Sequence, residues 1–166
     1  MFRRSGKMTR LRTVAVFSEL SGSDLRLIET LVDEVLVSPG TRLADAGGRG
    51  MELIVILEGQ AGATEGGGDT LVLGPGEFFG VITALDGGGY WATVDAVSHM
   101  RVLVSGERAF ARLLEVAPRL TVRILSVLSR RGRRREGAGG RPARTATVSP
   151  SGALPMTHDP IPAQTR

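Results

Sequence analysis

The chain has 166 residues, 21 Lys and Arg against 17 Asp and Glu, and no cysteine. That length accommodates one domain, and the missing cysteine excludes a disulfide framework, a Cys-ligated zinc and a thiol nucleophile. The net charge of +4 averages unlike segments: residues 1–12 hold five basic residues and no acid, residues 13–129 hold 8 basic and 15 acidic, and residues 130–166 hold 8 basic and 2 acidic.

Residues 1–10 read as a basic, flexible arm, and a short helix is expected near Leu11–Phe17. Ser21 and Asp24 form a capping box of the Ser-x-x-Asp type. Leu25, Ile28, Leu31, Val32 and Val35 follow at helical spacing. From Glu34 short β-prone runs take over: 35–37, 41–44, 52–57, 61–64, 70–73, 93–97 and 100–104. Turn signals rich in Gly, Pro and Asp separate them, and 23 glycines in all fit many tight turns. Seven or eight short strands predict a mainly β domain, a small antiparallel sandwich or barrel.

Helical spacing returns after Val104. Ser105 is placed to cap a helix with Ala109, Phe110, Leu113 and Leu114 on its apolar side. Pro118 suits the first turn of a last helix with Leu120, Val122, Ile124, Leu125 and Leu128 as its apolar side, running into Arg130-Arg131-Gly132-Arg133-Arg134-Arg135. Beyond it the composition is Gly, Pro, Ala, Thr, Ser and Arg without period, so residues 132–166 are expected to be a disordered tail. The body of the domain is then 11–131. Five arginines at 130, 131, 133, 134 and 135 are the candidate set for weak binding of nucleic acid or another polyanion.

Several functions are disfavoured. The longest uninterrupted apolar run is Leu53–Leu57, far short of the ~18 residues that span a bilayer. Val14–Phe17 is too short for the apolar core of an export signal, so a cytoplasmic location is expected. His99 and His158 are the only histidines, which leaves neither a His-rich metal site nor a nucleophile–base pair, and no enzyme is expected.

Certain residues carry a sharper signal. Leu53-Ile-Val-Ile-Leu-Glu-Gly59 is followed by Leu73-Gly-Pro-Gly-Glu-Phe-Phe-Gly80, then Leu85-Asp-Gly-Gly88 and Ala92-Thr-Val94. Over about residues 14–131 this resembles the cyclic-nucleotide-binding domain of the catabolite activator protein and FNR-like family. The resemblance implies an eight-stranded antiparallel jelly roll with flanking helices. It also implies a short cassette from Gly80 to Thr93 for a cyclic phosphate. The chemistry suits such a cassette: backbone N–H groups opening a helix attract an anion, and glycine lets the backbone approach it.

The match in the cassette is partial. Gly80 keeps the family's glycine, and Ile82, Ala92 and Thr93 fit the pattern. Val81 stands where the family has the ribose-binding Glu. Tyr90 stands where it has the phosphate-binding Arg, and Trp91 where Ser or Thr is usual. Gly80, Val81, Ile82, Tyr90, Trp91, Ala92 and Thr93 are therefore the candidate ligand-binding set. Tyr90 and Trp91 are expected to wall a pocket for a different ligand, to plug an emptied one or to pack between the sheets, with at most one of them facing the pocket.

The resemblance thus implies a non-catalytic regulatory or sensor module that does not take cAMP or cGMP in the usual way. Its partner would be an unidentified small ligand or a protein. Two alternatives stay open: a tether for nucleic acid or another polyanion that uses the basic tail, and a true cyclic-nucleotide receptor that relies on main-chain contacts. The 31 residues after Arg135 are too few and too rich in Gly and Pro for the DNA-reading domain of activator relatives. No resident cofactor or metal is implied; the ligand is a cyclic nucleotide or another small molecule.

Overall fold

A computed structural model describes residues 4–50 and 52–137, with side chains over 9–50 and 52–130. Eight strands form two antiparallel sheets between flanking helices. Helices α1 (Arg4–Thr13) and α2 (Gly22–Leu31) come first, then β1 (Asp33–Val37), β2 (Arg42–Ala44), β3 (Glu52–Glu58), β4 (Ala61–Thr64), β5 (Thr70–Leu73) and β6 (Phe78–Phe79). The short α3 (Val81–Asp86) precedes β7 (Thr93–Ala96) and β8 (Met100–Gly106), and α4 (Glu107–Val116) and α5 (Pro118–Gly137) close the described chain. The strand orders are β1-β8-β3-β6 and β2-β7-β4-β5.

The apolar run on β3 is explained by burial on both faces. Leu53, Val55 and Leu57 join Leu25, Ile28, Phe110 and Leu120 in a core beneath the helices. Ile54 and Ile56 point the opposite way and join Val94, Val102 and Phe79 between the two sheets. Alternation with period two puts neighbouring residues on opposite faces, so a strand sandwiched by helices and a second sheet is apolar throughout.

The capping box forms as expected. The Ser21 hydroxyl accepts from the Asp24 backbone N–H at 3.1 Å, and the Asp24 carboxylate accepts from the Ser21 N–H at 3.3 Å. Other expectations shift. The first helix covers Arg4–Thr13, including most of the stretch read as a flexible arm, rather than Leu11–Phe17. After it, Val14, Phe17 and Leu20 donate to the carbonyls of Leu11, Val14 and Phe17 at 3.2, 2.9 and 3.1 Å. This three-residue repeat stacks Leu11, Val14, Phe17 and Leu20 on one face, the geometry of tight 3₁₀-type turns.

Strand β6 has two residues, Phe78 opposite Val55 and Phe79 opposite Ile54. So short a strand has no readable period, and the sequence showed only the Gly-Pro-Gly turn before it. Ser105 does not cap α4. It lies buried in β8 and donates its hydroxyl to the Leu31 carbonyl at 3.3 Å, while Gly106 takes the capping position. Helix α5 continues to Gly137, through 132–137 where a disordered tail was expected. Arginine is a good helix former, and cations suit a helix C-terminus. The rest of the expected tail, 138–166, and residues 1–3 of the arm lie outside the described residues.

Candidate functional site

The cassette begins at Gly80, which caps α3 with φ 87°. A Cβ there would overlap the Glu52 carbonyl oxygen at the start of β3. Both the left-handed conformation and the close approach require glycine. Gly87 ends the helix, its N–H donating to Thr83 O at 2.9 Å. The first N–H groups of any helix have no partner within it, so the opening of α3 offers main-chain donors.

The loop between β2 and β3 runs beside the end of the cassette. Gly47 N–H donates to Tyr90 O at 2.8 Å, and Tyr90 N–H to Gly48 O at 3.0 Å. Thr93 Oγ1 accepts from Ala46 N–H at 3.2 Å. A Cβ at Gly89 would come within 2.7 Å of Gly47 O, so glycine at 89 lets the two segments pair this tightly. Arg49 lies opposite Gly89 in this pairing and is exposed.

The side chains sort the candidate residues into three groups. Tyr90 turns inward and packs against the core between the sheets. Its ring meets Phe79 edge to face, with centroids 6.5 Å apart. Its hydroxyl donates to the Glu52 carbonyl at 3.3 Å. Burial pushes the phenol above the usual tyrosine range, and the Glu52 carboxylate adds to the shift. Tyr90 is thus a neutral donor at physiological pH, whereas arginine would be a cation.

Val81 and Ala92 are buried, at 2% and 1% exposure; Val81 lies in the core beneath the helices and Ala92 in the core between the sheets. Ile82 and Trp91 instead face solvent, at 58% and 38% exposure. The adjacent aromatics therefore split, one in and one out, although neither lies in a named strand. Of the arginine cluster only Arg130 has a described side chain. It is exposed, with Nε donating to Ser126 O at 3.3 Å. Arg131, Arg133, Arg134 and Arg135 lie on α5, but their side chains are outside the described residues.

Three participants were missed by sequence reasoning. Gly50 and Thr83 lie against the Tyr90 ring: a Cβ at Gly50 would overlap the ring and come within 2.7 Å of Thr83 Cγ2. The third is the Glu52 carbonyl, which meets both Gly80 and the Tyr90 hydroxyl. No sequence signal marks a main-chain acceptor, and Gly50 is one of several glycines in its loop.

Among the described residues no group of three or more His, Asp or Glu is arranged to hold a metal, and no helix is long and apolar enough to cross a membrane.

Comparisons with known proteins bear on the same elements. The cAMP-dependent protein kinase regulatory subunit of Mycosarcoma maydis is 34% identical over 113 residues, 63% of this chain and 22% of that protein. The chain thus spans less than a quarter of this curated relative. The solved structure of the Thermus thermophilus catabolite activator protein matches with a TM-score of 0.66 and 27% identity, over 73% of this chain and 59% of that one. The N-terminal domain of a transcriptional regulator from Streptomyces coelicolor A3(2) matches with a TM-score of 0.59 and 26% identity, over 82% of this chain and 99% of that one. Residues 34–116, from β1 to the end of α4, match the cyclic nucleotide-binding domain as a family, and with its jelly roll, flanking helices and glycine-capped cassette the chain belongs to that family.

Proposed function

We propose that this chain is a non-catalytic regulatory domain whose cassette does not take cAMP or cGMP in the manner of its relatives. One observation carries the reading: the two positions expected to hold charged ligand contacts carry a buried valine, Val81, and a neutral phenol, Tyr90, whose hydroxyl is spent on the Glu52 carbonyl.

The magnitudes favour loss of binding. Removing the buried charge partner of an anion costs about 2–5 kcal/mol. A hydrogen bond involving a charged group is worth about 1.5–3 kcal/mol. The low ends together weaken affinity by about 300-fold, at 1.4 kcal/mol per tenfold. Main-chain donors opening α3 supply the remaining attraction for an anion.

Regulation then rests on a different small ligand or on a docked protein. Calorimetric titration of the full chain with cAMP and with cGMP tests the reading. No saturable heat is expected. Micromolar affinity would overturn the proposal in favour of a cyclic-nucleotide receptor that relies on main-chain contacts. The double substitution Val81→Glu and Tyr90→Arg brings back both side chains of the family pattern, and gain of cAMP affinity in a folded double variant is the positive control for an intact frame.

A further inference from the structure

We propose that Tyr90 is a tethered occupant of the cassette: its side chain takes the ligand's place and holds α3 as a bound ligand would. The proposal rests on the reading above but adds a distinct cause. A missing arginine alone would leave a vacant, weakly attractive pocket. A tyrosine seated in the cassette closes it.

The contacts run from the β2–β3 loop to the carbonyl that backs Gly80. The Tyr90 backbone is fixed at the far end by the paired loop of Gly47 and Gly48. From there the ring passes over Gly50 and beside Thr83 of α3, with Phe79 at its edge. Its hydroxyl ends on the Glu52 carbonyl, the same oxygen that abuts Gly80 where α3 begins. One side chain therefore bridges the β2–β3 loop, the middle of α3 and the backing of its cap.

The site is shaped to that ring. Gly50 provides room that any side chain would remove. An aromatic ring with one polar tip suits a slot that is apolar along its length and presents a carbonyl acceptor at its end. The chemical class that fits the slot is a neutral para-substituted phenol, not an anion. Tethering also raises the local concentration of the occupant, because its ordering is already part of folding.

The test uses the full chain and p-cresol, which is the tyrosine side chain as a free molecule. Tyr90→Ala should lower the Tm and raise amide hydrogen exchange over Val81–Asp86 at least about fivefold. Added p-cresol should reverse both effects saturably, while wild type and Tyr90→Phe do not respond. Gly50→Ala should lower the Tm of wild type by more than that of Tyr90→Ala, since the overlap with the ring is then gone and only the Thr83 methyl remains close. If Tyr90→Ala does not fold, Tyr90→Leu takes its place with phenol as the probe.

A folded variant whose Tm and exchange ignore the phenol, or a wild-type chain that responds equally, overturns the proposal. Tyr90 would then be ordinary core packing. cAMP binding by wild type bears on the preceding section's proposal, whereas p-cresol rescue bears on the occupant, so the two failures are distinguishable.

Discussion

Replacing Glu34 by glutamine should loosen α1 from the roll. Glu34 sits on β1 opposite Leu103 of β8, and its side chain is 16% exposed. Arg10 of α1 donates through Nη2 to both carboxylate oxygens at 3.0 Å. Arg101 of β8 donates through Nη1 at 2.5 Å, and its Nε lies 3.3 Å from the Glu58 carboxylate. One carboxylate thus faces two guanidinium groups. The Arg10 Nε atom is buried without a hydrogen-bond partner among the described residues, whereas Arg101 also pairs with Glu58, so Arg10 depends on Glu34 more heavily than Arg101 does.

Glutamine keeps the volume and loses the charge. Breaking a fully buried pair costs about 3–5 kcal/mol, and an exposed pair is worth about 0–1 kcal/mol. Arg10 and Arg101 are 34% and 29% exposed, which places this cluster between the limits. We take about 1–3 kcal/mol after that discount. At about 4 °C per kcal/mol for a body of this size, the Tm should fall by about 4–12 °C.

The pH dependence has a definite sign. Burial alone would raise the Glu34 pKa, but hydrogen bonds from Arg10 and Arg101, with their charges, hold it below the usual value. A carboxyl with a depressed folded-state pKa contributes fully above its unfolded value, about 4.3 for Glu, and loses that contribution as pH falls through the folded value. Calorimetric scans should therefore show a wide gap between wild type and variant at neutral pH that closes in strong acid. Equal Tm values at neutral pH, or a gap that persists at about pH 2, would refute the reasoning.

Two smaller predictions concern backbone and cap. Gly80→Ala forces a side chain into a φ of 87° and onto the Glu52 carbonyl, and should cost more than about 2 kcal/mol in urea unfolding. Gly74→Ala meets nothing within 4 Å and should stay within about 0.5 kcal/mol, and equal losses for the two would remove the argument from close approach. Ser21→Ala removes the acceptor for the Asp24 N–H and should lower stability by about 1 kcal/mol, with Ser21→Asp recovering most of it. An unchanged urea midpoint for Ser21→Ala would show the cap to be idle.

The sequence by itself determined the architecture. Short β-prone runs broken by glycine turns announced the strands, and the Ser21–Asp24 box announced α2. The Leu53–Leu57 run announced a strand, and the packing showed why it is unbroken: helices cover one face and the second sheet the other. These signals are local, written in spacing and turn chemistry. Gly80, with its φ of 87°, was marked instead by the resemblance to the family's cassette.

Other features needed the fold. Phe78–Phe79 becomes a strand only because Val55 and Ile54 lie beside it, and Ser105 is drawn into β8 by Leu31 rather than left to cap α4. Tertiary packing also decided which of Tyr90 and Trp91 turns inward, and joined Tyr90 to Gly50, Thr83 and the Glu52 carbonyl. Such partners are 7–40 positions away in the chain, or are main-chain atoms that every residue possesses, so no residue pattern encodes them. Charge follows the same division: its segregation into an acidic middle and basic ends is plain in the sequence, but the clamp of Arg10 and Arg101 on Glu34 exists only once α1, β1 and β8 are packed together.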